Sequence, residues 1–140
     1  MAYRSTYAFC VRICSETLPQ LRASFPCVDF TKTDKLHFVN DTKELSLALA
    51  MKRKTDSSIT INSNGEPELR IFANFVATYE LIDRIDYFCS RISEEFFGLL
   101  TIGEHYEDYT QLGLLPVGRI ARCIVPPSDW CVSQTFDQDD

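Results

Sequence analysis

The feature that most constrains the fold is an apolar stripe in the segment TYELIDRIDYFCSRISEEFFGLL. Its members recur at spacings of three and four residues, which places them along one side of an α-helix. The pattern predicts one long amphipathic helix over about residues 78–100, roughly 30 Å in length. Such a helix needs a second apolar layer to cover its stripe. The stripe consists of Leu81, Ile85, Phe88, Ile92, Phe96 and Leu99.

Period-two alternation predicts that the second layer is a β-sheet. From Tyr7 to Ile13 every second residue is a large apolar one, which is typical of a strand with one buried face. Two more alternating runs, at 59–62 and 69–75, flank the dipeptide Asn64-Gly65, which is a strong hairpin turn signal. The chain therefore contains at least one antiparallel strand pair.

The segment from residue 42 to residue 54 fits two structures. Asp41 followed by Glu44 has the form of a capping box, which favours a helix. The leucines and the methionine that follow nevertheless alternate strictly with smaller or polar residues, which favours a strand. We predict a strand here. The alternating residues are Leu45, Leu47, Leu49 and Met51.

These elements together predict an α+β fold. It has an antiparallel sheet of about five to six strands, with the long helix and a short N-terminal helix packed on it. The short helix is predicted just before Pro26, and further short β-like runs are at 27–30, 36–39 and 119–125. A chain of 140 residues suits one domain, so we predict a single domain over 1–140 with flexible residues at about 136–140.

The N-terminus and the cysteines predict a cytoplasmic protein. No apolar run approaches the ~18 residues that span a bilayer, so we expect no membrane interaction. The first residues lack the long apolar stretch of a signal peptide. The six cysteines are therefore expected to be reduced thiols rather than three disulfides. They are Cys10, Cys14, Cys27, Cys89, Cys123 and Cys131.

Several chemistries find little support in the residues. None of the five glycines lies in a phosphate-binding spacing. His105 and Glu107 match half of a zinc-deaminase pattern, but the required pair of closely spaced cysteines does not follow. Nothing selects one cysteine as the partner of His37 or His105 in a catalytic pair. We therefore predict no catalytic residue, no cofactor and no metal site, and an enzyme is the less favoured interpretation.

Charge is distributed unevenly along the chain. Residues 1–70 carry ten Lys and Arg against eight Asp and Glu, whereas residues 71–140 carry four Arg and twelve Asp and Glu. The second half thus has a net charge of −8 within a total of −6. This argues against direct nucleic-acid binding, which needs cations over phosphates. It suits electrostatic steering toward a basic protein or nucleoprotein surface.

The acidic charge is densest between residues 80 and 108, where eight acids accompany two arginines. Three acids and two tyrosines crowd into residues 104–109, and tyrosine is enriched in binding hot spots. We predict that this region forms one acidic docking surface. The predicted partner-binding residues are Asp83, Asp86, Glu94, Glu95, Glu104, Tyr106, Glu107, Asp108 and Tyr109.

The charge map favours a small acidic protein that acts by protein–protein binding. One form of this function is an inhibitor that occludes a basic surface of a nucleic-acid-processing enzyme or complex, as immunity proteins and phage anti-defence or anti-CRISPR proteins do. Two alternatives stay open. One is a small enzyme with a carboxylate or cysteine site, and the other is a structural subunit of a larger assembly. The oligomeric state is not predicted.

Overall fold

A computed structural model describes residues 6–73, 79–103 and 109–117 of the chain. It confirms the α+β class: five antiparallel strands form one sheet in the order β2-β3-β1-β4-β5, with helices beside it. The predicted strand at 119–125 and the predicted flexible end at 136–140 lie outside the described residues. The strands are β1 (Thr6–Arg12), β2 (Asp56–Ile61), β3 (Pro67–Ala73), β4 (Phe97–Ile102) and β5 (Tyr109–Gly113).

The central strand has the two faces that its alternation predicts. Phe9 and Val11 of β1 belong to the main hydrophobic core, on the side of the helices. Ala8 and Cys10 belong to a smaller cluster on the opposite side of the sheet. β1 pairs with β3 on one edge and with β4 on the other, so both of its backbone edges are hydrogen-bonded within the sheet.

The predicted hairpin joins β2 to β3. Asn62 organises its turn, since its Oδ1 accepts hydrogen bonds from the backbone N–H groups of Asn64 and Glu66, both at 2.9 Å. Gly65 has a φ of +80°, which a residue without a Cβ adopts at no steric cost. The two strands then pair in register from Ile61 opposite Pro67 to Asp56 opposite Phe72.

The helices are shorter than the sequence predicts. α1 is Leu18–Ser24, α2 is Leu45–Leu49 and α3 is Tyr79–Arg91. The predicted helix over 78–100 is therefore wrong beyond residue 91. Ser93 has an extended backbone, with ψ of 141°, and a short 3-10 turn, Glu94–Phe96, leads into β4. The residues after this turn pair with the central strand β1, and that long-range pairing outweighs the helical spacing of the stripe.

The predicted strand within 42–54 is also wrong, because this segment is helical. α2 continues directly into a π-helical turn, Ala50–Lys54. Leu47 and Met51 lie one turn apart and are both buried, whereas Leu45 is 62% exposed. A strand would have placed all three on one face. Leu, Ala, Met and Lys are strong helix formers, and here that propensity prevails over the alternation.

The short β-like runs at 27–30 and 36–39 shrink to a single bridge between Val28 and Phe38. Thr17 precedes α1, but its side chain makes no capping hydrogen bond with that helix. The Thr17 hydroxyl instead donates a hydrogen bond to the carbonyl of Arg12 at 2.7 Å, which connects the start of α1 to the end of β1.

None of the helices in the described ranges is long and apolar enough to cross a membrane.

Three aromatic rings lie at the centre of the main core. Phe9 of β1, Phe25 after α1 and Phe88 of α3 are fully buried. The ring of Phe88 meets that of Phe9 edge-on, with centroids 5.8 Å apart, and lies 6.3 Å from that of Phe25. These contacts fix the positions of α1 and α3 on the same face of the sheet.

The segment after β5 crosses the opposite face of the sheet. It passes so close to Gly98 that a Cβ atom at that position would collide with the carbonyl oxygen of Leu115. Only glycine permits this approach. Leu115 and Val117 consequently pack on the smaller cluster formed by Ala8, Cys10 and neighbouring residues of β3 and β4.

Candidate functional site

The described part of the predicted acidic surface is built on the outer side of α3. Leu81, Ile85 and Phe88 face the core and are almost completely buried. Asp83 and Asp86 lie between them in sequence, so the helical repeat turns both toward solvent, and both are exposed. A spacing of three residues places their carboxylates on neighbouring positions of the helix surface.

The two carboxylates repel each other. The pKa of Asp86 is raised above 3.8, first because surrounding protein atoms displace water from the carboxyl group and second because of the negative charge of Asp83. The same two acids contribute to a raised pKa of Tyr7 on β1, although burial of the phenol is the larger cause. Negative charge is therefore concentrated on this side of α3 without full compensation.

The nearest arginine of α3 is engaged elsewhere. Arg84 pairs with Glu44 at 3.0 Å and with Glu80 at 3.3 Å, and it donates a hydrogen bond to the carbonyl of Ser24 at 3.3 Å. A hydrogen bond from the Ser46 hydroxyl, 2.6 Å long, lowers the pKa of Glu80, and Arg84 adds to this effect. Across residues 6–73, 79–103 and 109–117, neither Asp83 nor Asp86 forms an ion pair.

Two other acids of the predicted surface are described, and both lie just beyond the C-terminal end of α3. Glu94 and Glu95 are exposed on the 3-10 turn before β4. The carbonyl of Glu94 accepts a hydrogen bond from the N–H of Leu114, which ties this turn to the end of β5. Tyr109 begins β5 opposite Ile102, four residue pairs away from the Gly98–Gly113 pair. At about 3.3 Å per residue, roughly 13 Å separates the two ends of this strand pair.

The structure thus brings Asp83 and Asp86 together and places Glu94 and Glu95 in a separate pair near the end of β5. Glu104, Tyr106, Glu107 and Asp108 lie outside the described residues, so their part in the docking surface stays a prediction. Of Tyr109, the structure describes the backbone position in β5.

A groove beside the acidic pair is a feature that the sequence does not reveal. It lies between α1 and α3 and has a volume of about 570 Å³. Tyr87, which is 52% exposed, lines it from α3, and the guanidinium of Arg91 lies 4.5 Å from the centre of its ring. The groove is lined by Ala23, Ser24, Glu80, Asp83, Arg84 and Tyr87.

The opposite face of the sheet carries a buried polar cluster that the sequence analysis also missed. Glu68 of β3 is 5% exposed, and its carboxylate accepts hydrogen bonds from Arg70 at 3.0 Å and from Asn62 at 2.9 Å. The thiol of Cys10 donates to the same carboxylate at 3.4 Å. A smaller polar pocket of about 230 Å³ lies beside this cluster and includes Arg12.

Three of the described thiols, those of Cys10, Cys27 and Cys89, are poor candidates for a nucleophile. Burial raises the pKa of Cys10 to about 12 and that of Cys27 to about 11. The pKa of Cys89 is raised to about 12, first by burial and second by the nearby negative charge of Asp86. A reactive cysteine needs the opposite shift. Within the described residues no group of three or more histidine, cysteine or carboxylate side chains is arranged to hold a metal ion.

Thiol reactivity should follow this burial. In the native protein at about pH 8, Cys10 and Cys27 are expected to resist alkylation by iodoacetamide, because both side chains are fully buried and protonated. After unfolding without reductant, titration is expected to count close to six free thiols, of which four are free in the described structure. Mass spectrometry of peptides checks both statements. Fast native labelling of Cys10, or a count near zero, would contradict them.

The chain shows no match to known proteins at the level of family, sequence or structure. No family model matches the chain, and neither a curated protein nor a solved structure matches it.

Proposed function

We propose that the protein acts by binding a basic surface of another protein through the outer side of α3. The supporting observation is the pair Asp83 and Asp86: two exposed carboxylates, one turn apart, which form no ion pair within the described residues, with a raised pKa at Asp86. A positive group of a partner would remove this repulsion. Binding would thus be favoured by the relief of an unfavourable charge arrangement as well as by the new contact.

The aromatic ring of Tyr87 complements the acidic pair. It follows Asp86 directly and is half exposed, so a partner that approaches the carboxylates also covers a large rigid ring. Aromatic side chains near charged groups are frequent anchors of protein interfaces. The predicted loop residues Glu104, Tyr106, Glu107, Asp108 and Tyr109 would enlarge this surface if they lie beside α3.

The finer form of the proposal is an inhibitor that occludes a nucleic-acid-binding groove of an enzyme or a nucleoprotein complex. Its support is the charge of the chain, −6 in total, with the acids concentrated in the second half. A basic groove that attracts nucleic acid would attract such a surface by the same long-range field. Affinity purification with the tagged protein would supply the partner, which is expected to be a single stoichiometric protein with a basic surface.

Charge reversal of α3 tests the proposal. The double substitution Asp83→Lys, Asp86→Lys is expected to slow association with that partner about tenfold or more at low salt, because steering depends on the sign of the surface field. The melting temperature should change little, since both side chains are exposed and exposed charges contribute little to stability. Stopped-flow or surface-binding kinetics at two salt concentrations measure the rates.

The matched control is Glu94→Lys, Glu95→Lys. It makes the same change in net charge on the 3-10 turn, away from the pair on α3. Its effect on the association rate should be clearly smaller. Equal slowing by the two double variants would mean that net charge alone matters and would refute the placement on α3. Unaltered rates in the Asp83 and Asp86 variant would refute docking by this surface.

A further inference from the structure

The polar pocket on the face of the sheet opposite the helices has the features of a small-ligand site. It has a volume of about 230 Å³ and lies between the hairpin turn that joins β2 to β3 and the segment after β5. Leu115 and Pro116 line it from that segment, and Arg12, Glu68 and Arg70 line it from the sheet. A pocket with three charged side chains can recognise a ligand by its charge.

The acid of the pocket is already fully engaged. Oε1 of Glu68 accepts hydrogen bonds from Arg70 at 3.0 Å and from the thiol of Cys10 at 3.4 Å. Oε2 of the same carboxylate accepts a hydrogen bond from Asn62 at 2.9 Å. The charges of Glu68 and Arg70 compensate each other, so this pair needs no further counter-ion.

The guanidinium of Arg12 is not engaged in this way. Arg12 lies directly opposite Glu68 in the pairing of β1 with β3, yet its ion pair among the described residues is with Glu66. That pair measures 3.8 Å from Nε, which is too long for a hydrogen bond. Nε is enclosed by protein, whereas the side chain as a whole is 31% exposed. The accessible donors of Arg12 are therefore its terminal nitrogens, Nη1 and Nη2.

The charge balance of the pocket selects a monoanion. Arg12 and Arg70 contribute two positive charges and Glu68 contributes one negative charge, which leaves a net charge of +1 among the lining residues. A monoanion neutralises this charge, whereas a dianion would leave an excess negative charge beside Glu68. The two terminal nitrogens of a guanidinium form a planar fork that matches a carboxylate with two parallel hydrogen bonds.

From these observations we propose that the pocket binds the carboxylate of a small organic acid. Nη1 and Nη2 of Arg12 donate to the two carboxylate oxygens, and the hydrocarbon part of the acid packs on Leu115 and Pro116. The volume equals that of roughly eight water molecules in the liquid, so the pocket takes a small molecule. The inference does not depend on the docking function of α3, which lies on the other face of the sheet.

The probe is sodium butyrate, titrated at constant ionic strength into the isotopically labelled full chain and followed by amide NMR shifts. Saturable shifts are expected at Ser63, Asn64 and Leu115, which line the pocket. Butyramide, a neutral molecule of the same size, should bind about tenfold more weakly or less, because charge-assisted hydrogen bonds are the stronger ones. Sulfate, a dianion, should also bind more weakly than butyrate. Equal binding of butyramide, tighter binding of sulfate or an absence of saturable shifts would each overturn the inference.

Replacing Arg12 tests the donor directly. Arg12→Gln is expected to weaken butyrate binding about tenfold or more, because it removes the charged fork. The matched control is Arg53→Gln, which makes the same change in net charge on the exposed π-helical turn and should leave binding unaltered. The melting temperature of Arg12→Gln should change little, since its ion pair is long and partly exposed. Normal butyrate binding by Arg12→Gln would refute the assignment.

Replacing Glu66 tests the same charge in the opposite direction. Glu66→Gln removes the carboxylate that lies 3.8 Å from Arg12 and competes with a bound anion, so butyrate should bind severalfold more tightly. The backbone hydrogen bond from Glu66 to the side chain of Asn62 stays in place, which preserves the turn. Weaker or unchanged binding in this variant would contradict the proposed role of Arg12. This variant and the comparison of probes in the natural chain decide the question even if Arg12→Gln does not fold.

Discussion

Replacing Phe88 with alanine is expected to lower the free energy of unfolding by about 3–5 kcal/mol. The side chain is fully buried, and its ring contacts both Phe9 of the central strand and Phe25 after α1. Truncation leaves a cavity where the sheet and two helices meet, and these rigid elements cannot all move inward to fill it. Since a domain of this kind is stable by only about 5–15 kcal/mol, the loss is a large fraction of the total.

Urea unfolding, followed by circular dichroism, measures the change. The control is Tyr87→Ala, which removes an aromatic ring from the next position of the same helix, where the side chain is half exposed. Its effect should be much smaller, because little buried surface is lost. Equal losses in the two variants would show that burial of the Phe88 ring is not the cause of its effect, and an unchanged midpoint for Phe88→Ala would contradict the packing of α3.

Replacing Glu68 with alanine is expected to destabilise the fold by a similar amount, about 3–5 kcal/mol. The carboxylate is nearly inaccessible and accepts hydrogen bonds from Arg70, Asn62 and Cys10. Its removal leaves the positive charge of Arg70, itself 7% exposed, without this counter-ion. A buried charge that loses its partner is much less favourable than the intact pair.

A double substitution tests whether the charge of Arg70 is the cause. Glu68→Leu combined with Arg70→Met removes both charges and keeps apolar volume, so it should lose less stability than Glu68→Ala alone. Denaturant unfolding of the double variant and of its two single variants, Glu68→Leu and Arg70→Met, completes the cycle. If the losses of the two single variants simply add, the ion pair contributes no coupling and the explanation is wrong. A Glu68→Ala protein as stable as the parent would be equally decisive.

Parts of this fold that depend on neighbours in sequence could be predicted. β1, the hairpin at Asn64-Gly65 and the inward face of α3 follow from a local period and a local turn signal. The end of α3 could not be predicted from the sequence. The apolar residues from Ile92 to Leu100 have helical spacing, but the same segment is also apolar enough to form a buried strand. Pairing with β1, more than eighty residues away, decides for the strand. The spacing within 42–54 was ambiguous for a similar reason, and helix propensity decided it there.

In the candidate site, too, the features that depend on local sequence could be predicted and those that depend on distant segments could not. Asp83 and Asp86 could be predicted to be exposed because they lie off the apolar stripe. The groove could not be predicted, since it depends on α1 and α3 lying side by side, about sixty residues apart in the chain. Glu68 and Arg70 alternate with apolar residues of β3, a pattern that normally indicates a solvated face. They are buried because the sheet carries a second cluster on that face, partly formed by Leu115 and Val117.

The position of β1 in the middle of the sheet has a consequence for synthesis on the ribosome. β1 emerges first, but its partner residues in β3 begin at Glu68, opposite Arg12, and those in β4 follow later still. At a translation rate of about 5–20 residues per second, the strand waits several seconds with both backbone edges and the side chains of Phe9 and Val11 uncovered. The nascent chain therefore passes through an interval in which chaperones can bind its N-terminal strand, and slowing translation before β3 should lengthen that interval.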